Sequence, residues 1–264
     1  MEKEIFYSPE QNEQLVTAYT IDCRRHSERD RENINPLTEN GEKKAKAVTL
    51  LKPPYNPGDC YVSEVIRTDD TAQKMQETIW QEGDEVLGLG KGRIIQSRHL
   101  GADDFWGGDE GRFLNQYREI MREKGKAAAE QWYLDFKDKK PFEETISPQE
   151  AAAHYSVVIL GLVDQLNNSQ QKARVSKIPK TIVSHDVMMH PFLYYSIGEN
   201  VETDKDALGD SFIEKIGGPI KETEGFSLNL EKVDNEVKAT LILRDKEYDI
   251  DLSKLRKLVG RYER

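Results

Sequence analysis

The chain has 264 residues, 37% hydrophobic and 33% charged, and its 38 basic against 48 acidic side chains leave a formal charge of −10. A chain of this length buries roughly three quarters of its unfolded surface, so a stable core requires neither disulfides nor a structural metal. The acidic balance argues against a general nucleic-acid or anionic-lipid surface. No run approaches the roughly 20 apolar residues of a membrane span, and Met1-Glu2-Lys3-Glu4 leads into no apolar leader, so a cytoplasmic protein is expected.

Residues 15–23 (LVTAYTIDC) are rich in β-formers and read as a first strand. Thr38-Glu39-Asn40-Gly41 opens a helix through Ala45, Val48 and Leu51 that stops at Pro53-Pro54. Residues 60–63 read as a short strand, 68–80 as a helix with Ala72, Met75 and Ile79 on one side, and 93–96 as a third strand. Cys23 and Cys60 lie in apolar-flanked stretches and form no Cys-x-x-Cys pair, as buried free thiols of a reducing compartment do.

From 101 to about 142 the character changes: Gly107, Gly108 and Gly111 break the chain, and a polar helical stretch over 113–136 follows. This reads as an insertion over the core, with Trp106, Trp132, Tyr133 and Phe136 packing it down or lining an entrance. Ser147-Pro148-Gln149-Glu150 is a helix start with Ser at the N-cap, Pro at the first position and Glu at the third. The helix buries Ala151, Tyr155, Val158, Ile159, Leu162 and Leu166 and ends near Asn168. Residues 180–184 form another strand, 226–251 alternate around Asp234-Asn235 like a hairpin or meander, and a last helix over 253–259 ends at Gly260.

Strands separated by helices imply βαβ units. The expected fold is a single α/β domain over 1–264. It is a three-layer sandwich with a mostly parallel central sheet, helices on both faces, a helical insertion over the active edge and a C-terminal β-hairpin. In such sheets ligands bind beyond the carboxyl ends of the strands. The first strand runs into Arg24-Arg25-His26-Ser27-Glu28-Arg29, the second into Ser63-Glu64-Val65-Ile66-Arg67-Thr68, and the late one into Ser184-His185-Asp186. Cations gathered at one sheet edge repel unless an anion joins them. A phosphoryl group, tetrahedral and matched to guanidinium forks, is the natural candidate. Alone, residues 24–31 would be a solvated charge run, and Arg24 and Arg31 remain open to that reading.

These stretches resemble the motifs of the histidine phosphatase superfamily. Arg25-His26-Ser27-Glu28 matches its Arg-His-Gly and following acidic residue, with Ser for Gly. Leu37, Thr38, Gly41 and Ala45 fit Leu-Thr-x-x-Gly-x-x-Gln-Ala, with Lys44 at the Gln. Ser63, Arg67, Thr71 and Ala72 fit Ser-x-x-x-Arg-Ala-x-x-Thr-Ala, with Thr68 for the first Ala, and Ile182-Val183-Ser184-His185 fits the strand ending in Ser/Thr-His. The resemblance spans about residues 19–193.

What the resemblance implies is phosphomonoester hydrolysis with no metal and no cofactor. His26 is the expected nucleophile, forming a phosphohistidine, with Arg25, Arg67 and His185 around the phosphoryl oxygens. Arg29 resembles the second Arg of the acid phosphatase branch. The proton donor stays open among three residues. Asp103, with Gly107 and Gly111, reproduces the spacing Glu-x-x-x-Gly-x-x-x-Gly; Asp104 is its neighbour; Asp186 follows His185 as in the acid phosphatase branch. Ser27 replaces a glycine whose dihedral freedom a serine lacks; serine is small, and either a narrower pocket or lower activity is the expected consequence where it is not tolerated. A metal set built from His185-Asp186 with His190 or His154 is the weaker reading, since His185 and His190 are five apart rather than four.

The expected partner is a phosphorylated small molecule or phosphoprotein, and Arg24, Arg29 and Arg31 hint at more than one anionic group on it. A phosphomutase, or a phosphate-binding module with weak turnover, are the alternatives. Oligomeric state is not legible.

Overall fold

The computed structural model describes residues 14–27, 37–48, 59–77, 93–101, 111–170, 172–173, 177–203 and 209–262. In chain order its elements are β1 (Gln14–Leu15), β2 (Ala18–Arg25), α1 (Glu39–Lys46), β3 (Cys60–Val62), α2 (Ile66–Glu77) and β4 (Ile94–Gln96). After a 3-10 turn at Arg98–Leu100 come α3 (Arg112–Lys124), α4 (Lys126–Leu134), α5 (Pro148–Asn167), β5 (Lys172–Ala173), β6 (Lys177–Ser184) and α6 (Asp186–Thr203). The chain closes with α7 (Phe212–Lys215), β7 (Gly225–Val233), β8 (Glu236–Leu243), β9 (Lys246–Ile250) and α8 (Leu252–Val259).

Seven strands form one sheet in the order β4-β3-β6-β2-β7-β8-β9, and β1 pairs with β5 in a small separate ribbon. The β4, β3, β6 and β2 strands run parallel, whereas β7, β8 and β9 join antiparallel beyond β2. The sheet is therefore α/β but only partly parallel, which corrects the mostly parallel sheet expected from the sequence. Tight turns explain the difference. Asp234 and Asn235 both have positive φ, as do Arg244 and Asp245, the geometry that reverses a chain between neighbouring antiparallel strands. The expected hairpin is thus a three-stranded meander. Its second turn was hidden because Arg-Asp carries no turn signature. The meander docks closely on β2: a Cβ on Gly225 would lie 1.7 Å from the Cys23 carbonyl oxygen.

Local chemistry sets the helix starts. Thr38 Oγ1 accepts from the Gly41 amide at 2.9 Å to cap α1, and Ser147 Oγ accepts from the Glu150 amide at 3.1 Å to cap α5. The helical stretch expected over 113–136 is two helices, because Gly125 at φ 88° breaks it between α3 and α4. Helix α6 went unread in the sequence: Pro191 sits inside it and looks like a breaker. Burial of Met188, Met189, Phe192, Leu193 and Ile197 outweighs the lost backbone hydrogen bond.

Strand alternation divides the core. Tyr19, Ile21, Cys23, Tyr61 and Ile182 join the large cluster with α3, α4, α5 and α6, while Cys60, Val62 and Val183 join a smaller one with Ala45 of α1 and Ala72 and Met75 of α2. Neighbouring positions of β3 and β6 thus serve opposite faces of the sheet. Cys23 and Cys60 are buried and free. Among the described residues no helix is long and apolar enough to cross a membrane.

Candidate active site

The register of the parallel strands assembles the site. Arg25 pairs with Ser184 and Val62 with Val183, so β2, β3 and β6 end at one level. The next residues, His26, Ser63 and His185, therefore emerge side by side. The His26 amide continues the ladder by donating to the Ser184 carbonyl at 2.9 Å. Arg67, the second residue of α2, enters from the helix that follows β3.

These groups touch. The rings of His26 and His185 lie 4.9 Å apart between centroids. Arg67 spans them, donating from Nε to His26 Nε2 at 3.4 Å and from Nη2 to His185 Nδ1 at 3.3 Å. His26 Nδ1 is 2.7 Å from the Ser27 carbonyl oxygen. A carbonyl can only accept, so Nδ1 carries the proton and Nε2 keeps its lone pair. His185 uses Nδ1 to accept from Arg67, which leaves Nε2–H to donate to Ser63 Oγ at 3.1 Å.

Electrostatics reinforce this state. Burial, then the charges of Arg67 and Arg25, push the His26 imidazole down to about 3. Burial and Arg67 likewise hold His185 well below the ordinary histidine range. Both rings are neutral at neutral pH. Arg25 points at Asp186 (Nη2 to Oδ2, 3.2 Å) and donates from Nη1 to the Ile220 carbonyl at 3.2 Å. Its Nε is buried without an acceptor among the described residues, an orphan donor that an anion would satisfy.

Asp186 opens α6 and also pairs with Lys126 Nζ at 2.6 Å. Burial alone would raise its carboxyl, but Arg25 and Lys126 outweigh it and hold Asp186 well below the usual carboxylate range. Ser27 fits without left-handed backbone: among the described non-glycine residues of positive φ it does not occur. Its Oγ donates to the Gly41 carbonyl at 2.7 Å and its amide donates to Thr71 Oγ1 at 3.0 Å, tying β2's exit to α1 and α2.

Of the residues singled out in the sequence, Arg25, His26, Arg67, His185 and Asp186 lie together. Asp103, Asp104, Arg29 and Arg31 fall outside the described residues, as does Trp106. Tyr133 belongs to the large core, with Trp132 packed against it. His154 faces His99 (Nδ1 to Nδ1, 3.0 Å) and His190 faces Glu130 (2.8 Å), so neither turns to His185. No group of three or more candidate ligands for a metal occurs among the described residues.

Sequence reasoning missed Lys126 and the Ile220 carbonyl, which receives both Arg25 and Lys126 (3.2 Å each). It also missed a buried chain behind them. Tyr117 Oη donates to Glu130, His190 Nδ1 donates to Glu130 at 2.8 Å, and the Ile220 amide donates to His190 Nε2 at 3.1 Å. No local pattern marks these residues, since each comes from a different element.

No protein-family model matches the chain, and no curated protein matches it. Solved structures do. A protein described as mycobacterial hydrolase 1 superposes with a TM-score of 0.55 at 16% identity, covering 88% of this chain and 100% of that one. Mycobacterial hydrolase 2 gives 0.54 at 14% identity, covering 93% and 98%. A mycobacterial glucosyl-3-phosphoglycerate phosphatase gives 0.52 at 16% identity, covering 87% and 100%. The chain has the fold of these three proteins.

Proposed function

We propose that this chain is a phosphomonoester hydrolase of the histidine phosphatase superfamily, working through a phosphohistidine on His26. One observation carries the reading: a neutral imidazole is fixed through Nδ1 by the Ser27 carbonyl and offers Nε2 beside Arg67. The Nε2 lone pair attacks phosphorus in line, the N–P bond forms and the P–O bond to the alcohol breaks. The leaving oxygen takes a proton from an acid. Water then attacks phosphorus, gives its proton to the same group as carboxylate, and releases His26. Arg25, Arg67 and His185 offset the charge that spreads over the phosphoryl oxygens. Relatives in fold that are named hydrolases and a phosphatase support the reaction class.

Asp186, ion-paired to two cations, is better suited to orient Arg25 than to donate a proton. The donor role goes to Asp103, on the motif spacing quoted above. The test is phosphate release from p-nitrophenyl phosphate in the presence of chelator, with acid-labile 32P trapped on protein after quenching. Release with labelling, both lost in His26→Ala, is the expected result. Release that persists unchanged in His26→Ala overturns the reading.

A further inference from the structure

Helix α6 holds Arg25 by two routes. Its first residue, Asp186, takes the guanidinium at Nη2, 3.2 Å away. His190 stands one helical turn further on and on the same side. Its Nε2 accepts from the Ile220 amide at 3.1 Å, and the Ile220 carbonyl in turn accepts from Arg25 Nη1 at 3.2 Å. One helix thus fixes both ends of the guanidinium fork, directly at Nη2 and through Ile220 at Nη1. Nε is the donor left over.

Ile220 depends on such a hold. It lies between α7 and β7 in a stretch with neither helix nor strand, just after Gly217 and Gly218 turn the chain at positive φ. Arg244 grips the carbonyls of Ile216, Gly218 and Pro219, and His190 takes the next amide in line.

The tautomer decides whether His190 can do this. A backbone amide only donates, so Nε2 carries the lone pair and Nδ1 the proton. Glu130 matches that state: its Oε2 accepts from Nδ1 at 2.8 Å, while Tyr117 Oη donates to its Oε1. Glu130, His190 and Ile220 are fully buried, where apolar side chains of similar volume often serve stability as well or better. Polar groups from α3, α4 and α6 instead converge there on one backbone residue.

We infer that Glu130 and His190 are positioning residues for Arg25. Glu130 sets the His190 tautomer, His190 holds the Ile220 amide, and the Ile220 carbonyl aligns the guanidinium so that Nε is presented to the phosphoryl group. This rests on the hydrolase reading above and extends it to residues too buried to touch substrate.

The two nitrogens of His190 can be tested separately. His190→Asn keeps a donor near the Nδ1 position but loses the acceptor for Ile220, whereas His190→Gln restores an acceptor near Nε2. Nuclear magnetic resonance of the ligand-free protein reads Arg25 without reference to turnover. A held Nη1 shows two distinct protons because its rotation is slow, and a released one shows a single averaged signal. Two signals are expected in the unsubstituted chain and in His190→Gln, and one in His190→Asn. For p-nitrophenyl phosphate, kcat is expected to fall tenfold or more in His190→Asn and to return to within threefold in His190→Gln. A purely structural role would lower stability in both variants and leave the folded protein with unchanged signals and kcat. The same changes, smaller, are expected in Glu130→Gln, which offers an oxygen to only one of Tyr117 and His190. That variant carries the test should His190→Asn not fold. Unmoved Arg25 signals in the folded variants, or an equal loss of kcat in His190→Asn and His190→Gln, overturns the inference. Turnover with unmoved signals sinks the positioning alone, and moved signals in a chain that releases no phosphate sink the hydrolase alone.

Discussion

His26 Nδ1 and the carbonyl oxygen of its neighbour Ser27 are 2.7 Å apart, and this one contact fixes which nitrogen of the ring is free. The ring nitrogen left unprotonated is thus selected by the backbone carbonyl of the next residue rather than by a carboxylate partner. Nitrogen-15 shifts of His26 are expected to report a neutral Nδ1–H tautomer from pH 8 down to at least pH 5, since burial and the two arginines hold its pKa at about 3. A protonation midpoint near the ordinary histidine value contradicts the site as described.

Folding stability is linked to the same ring. In the unfolded chain His26 takes up a proton below its unperturbed pKa of about 6.5, while in the fold it stays neutral to about 3. The unfolded state therefore binds more protons in this window, and stability falls as pH falls below about 6.5, by up to about 1.4 kcal/mol per unit for each such histidine. His185, shifted the same way, adds to the slope. Urea midpoints measured at pH 7.5 and 5.5 are expected to drop, and His26→Gln is expected to lessen the drop. An unchanged difference in that variant assigns the linkage elsewhere.

Asp186 and Asp103 separate by leaving group. With Asp186 held as a carboxylate by Arg25 and Lys126, Asp186→Asn is expected to slow aryl and alkyl phosphates alike, by about 10²-fold, through loss of Arg25 alignment. Asp103→Asn is expected to slow alkyl phosphates far more than aryl ones, whose leaving groups need less protonation. Comparing kcat for p-nitrophenyl and glycerol phosphate in both variants checks this, and a selective alkyl defect in Asp186→Asn reverses the assignment.

The buried chain behind the site carries stability. Replacing His190 by Phe leaves the Glu130 carboxylate without one donor and the Ile220 amide without its acceptor. A cost of about 3–5 kcal/mol is expected for breaking such a fully buried polar pair. Chemical unfolding measures it, and a loss below about 1 kcal/mol would show the chain to be dispensable.

Local patterns made much of the frame readable. Thr38 and Ser147 announced their helices because a cap needs only a side chain and an amide three residues on. The strand before Arg25-His26 and the strand before His185 were visible as β-rich runs, and their motif spacing picked out side chains that the structure brings together. Ser27 was harder to judge. Its serine looked like a loss beside glycine, yet the Gly41 carbonyl lies where its hydroxyl can donate. Helix α6 was missed because Pro191 is a breaker by propensity, and only packing on the sheet overrides it.

The sequence by itself determined the α/β alternation, the identity of the residues at the strand ends and the surplus of acid over base. Those follow from side-chain periodicity and from chemistry carried within a few residues. Only the tertiary structure decided that half of the sheet runs antiparallel, that Lys126 and the Ile220 carbonyl complete the surroundings of Arg25, and that Lys44 and Lys221 share a cleft with it. These depend on strand register and on distant segments, such as Arg25 and Ile220 at 195 positions apart, meeting through non-local packing, and no local rule of propensity or spacing encodes such a meeting.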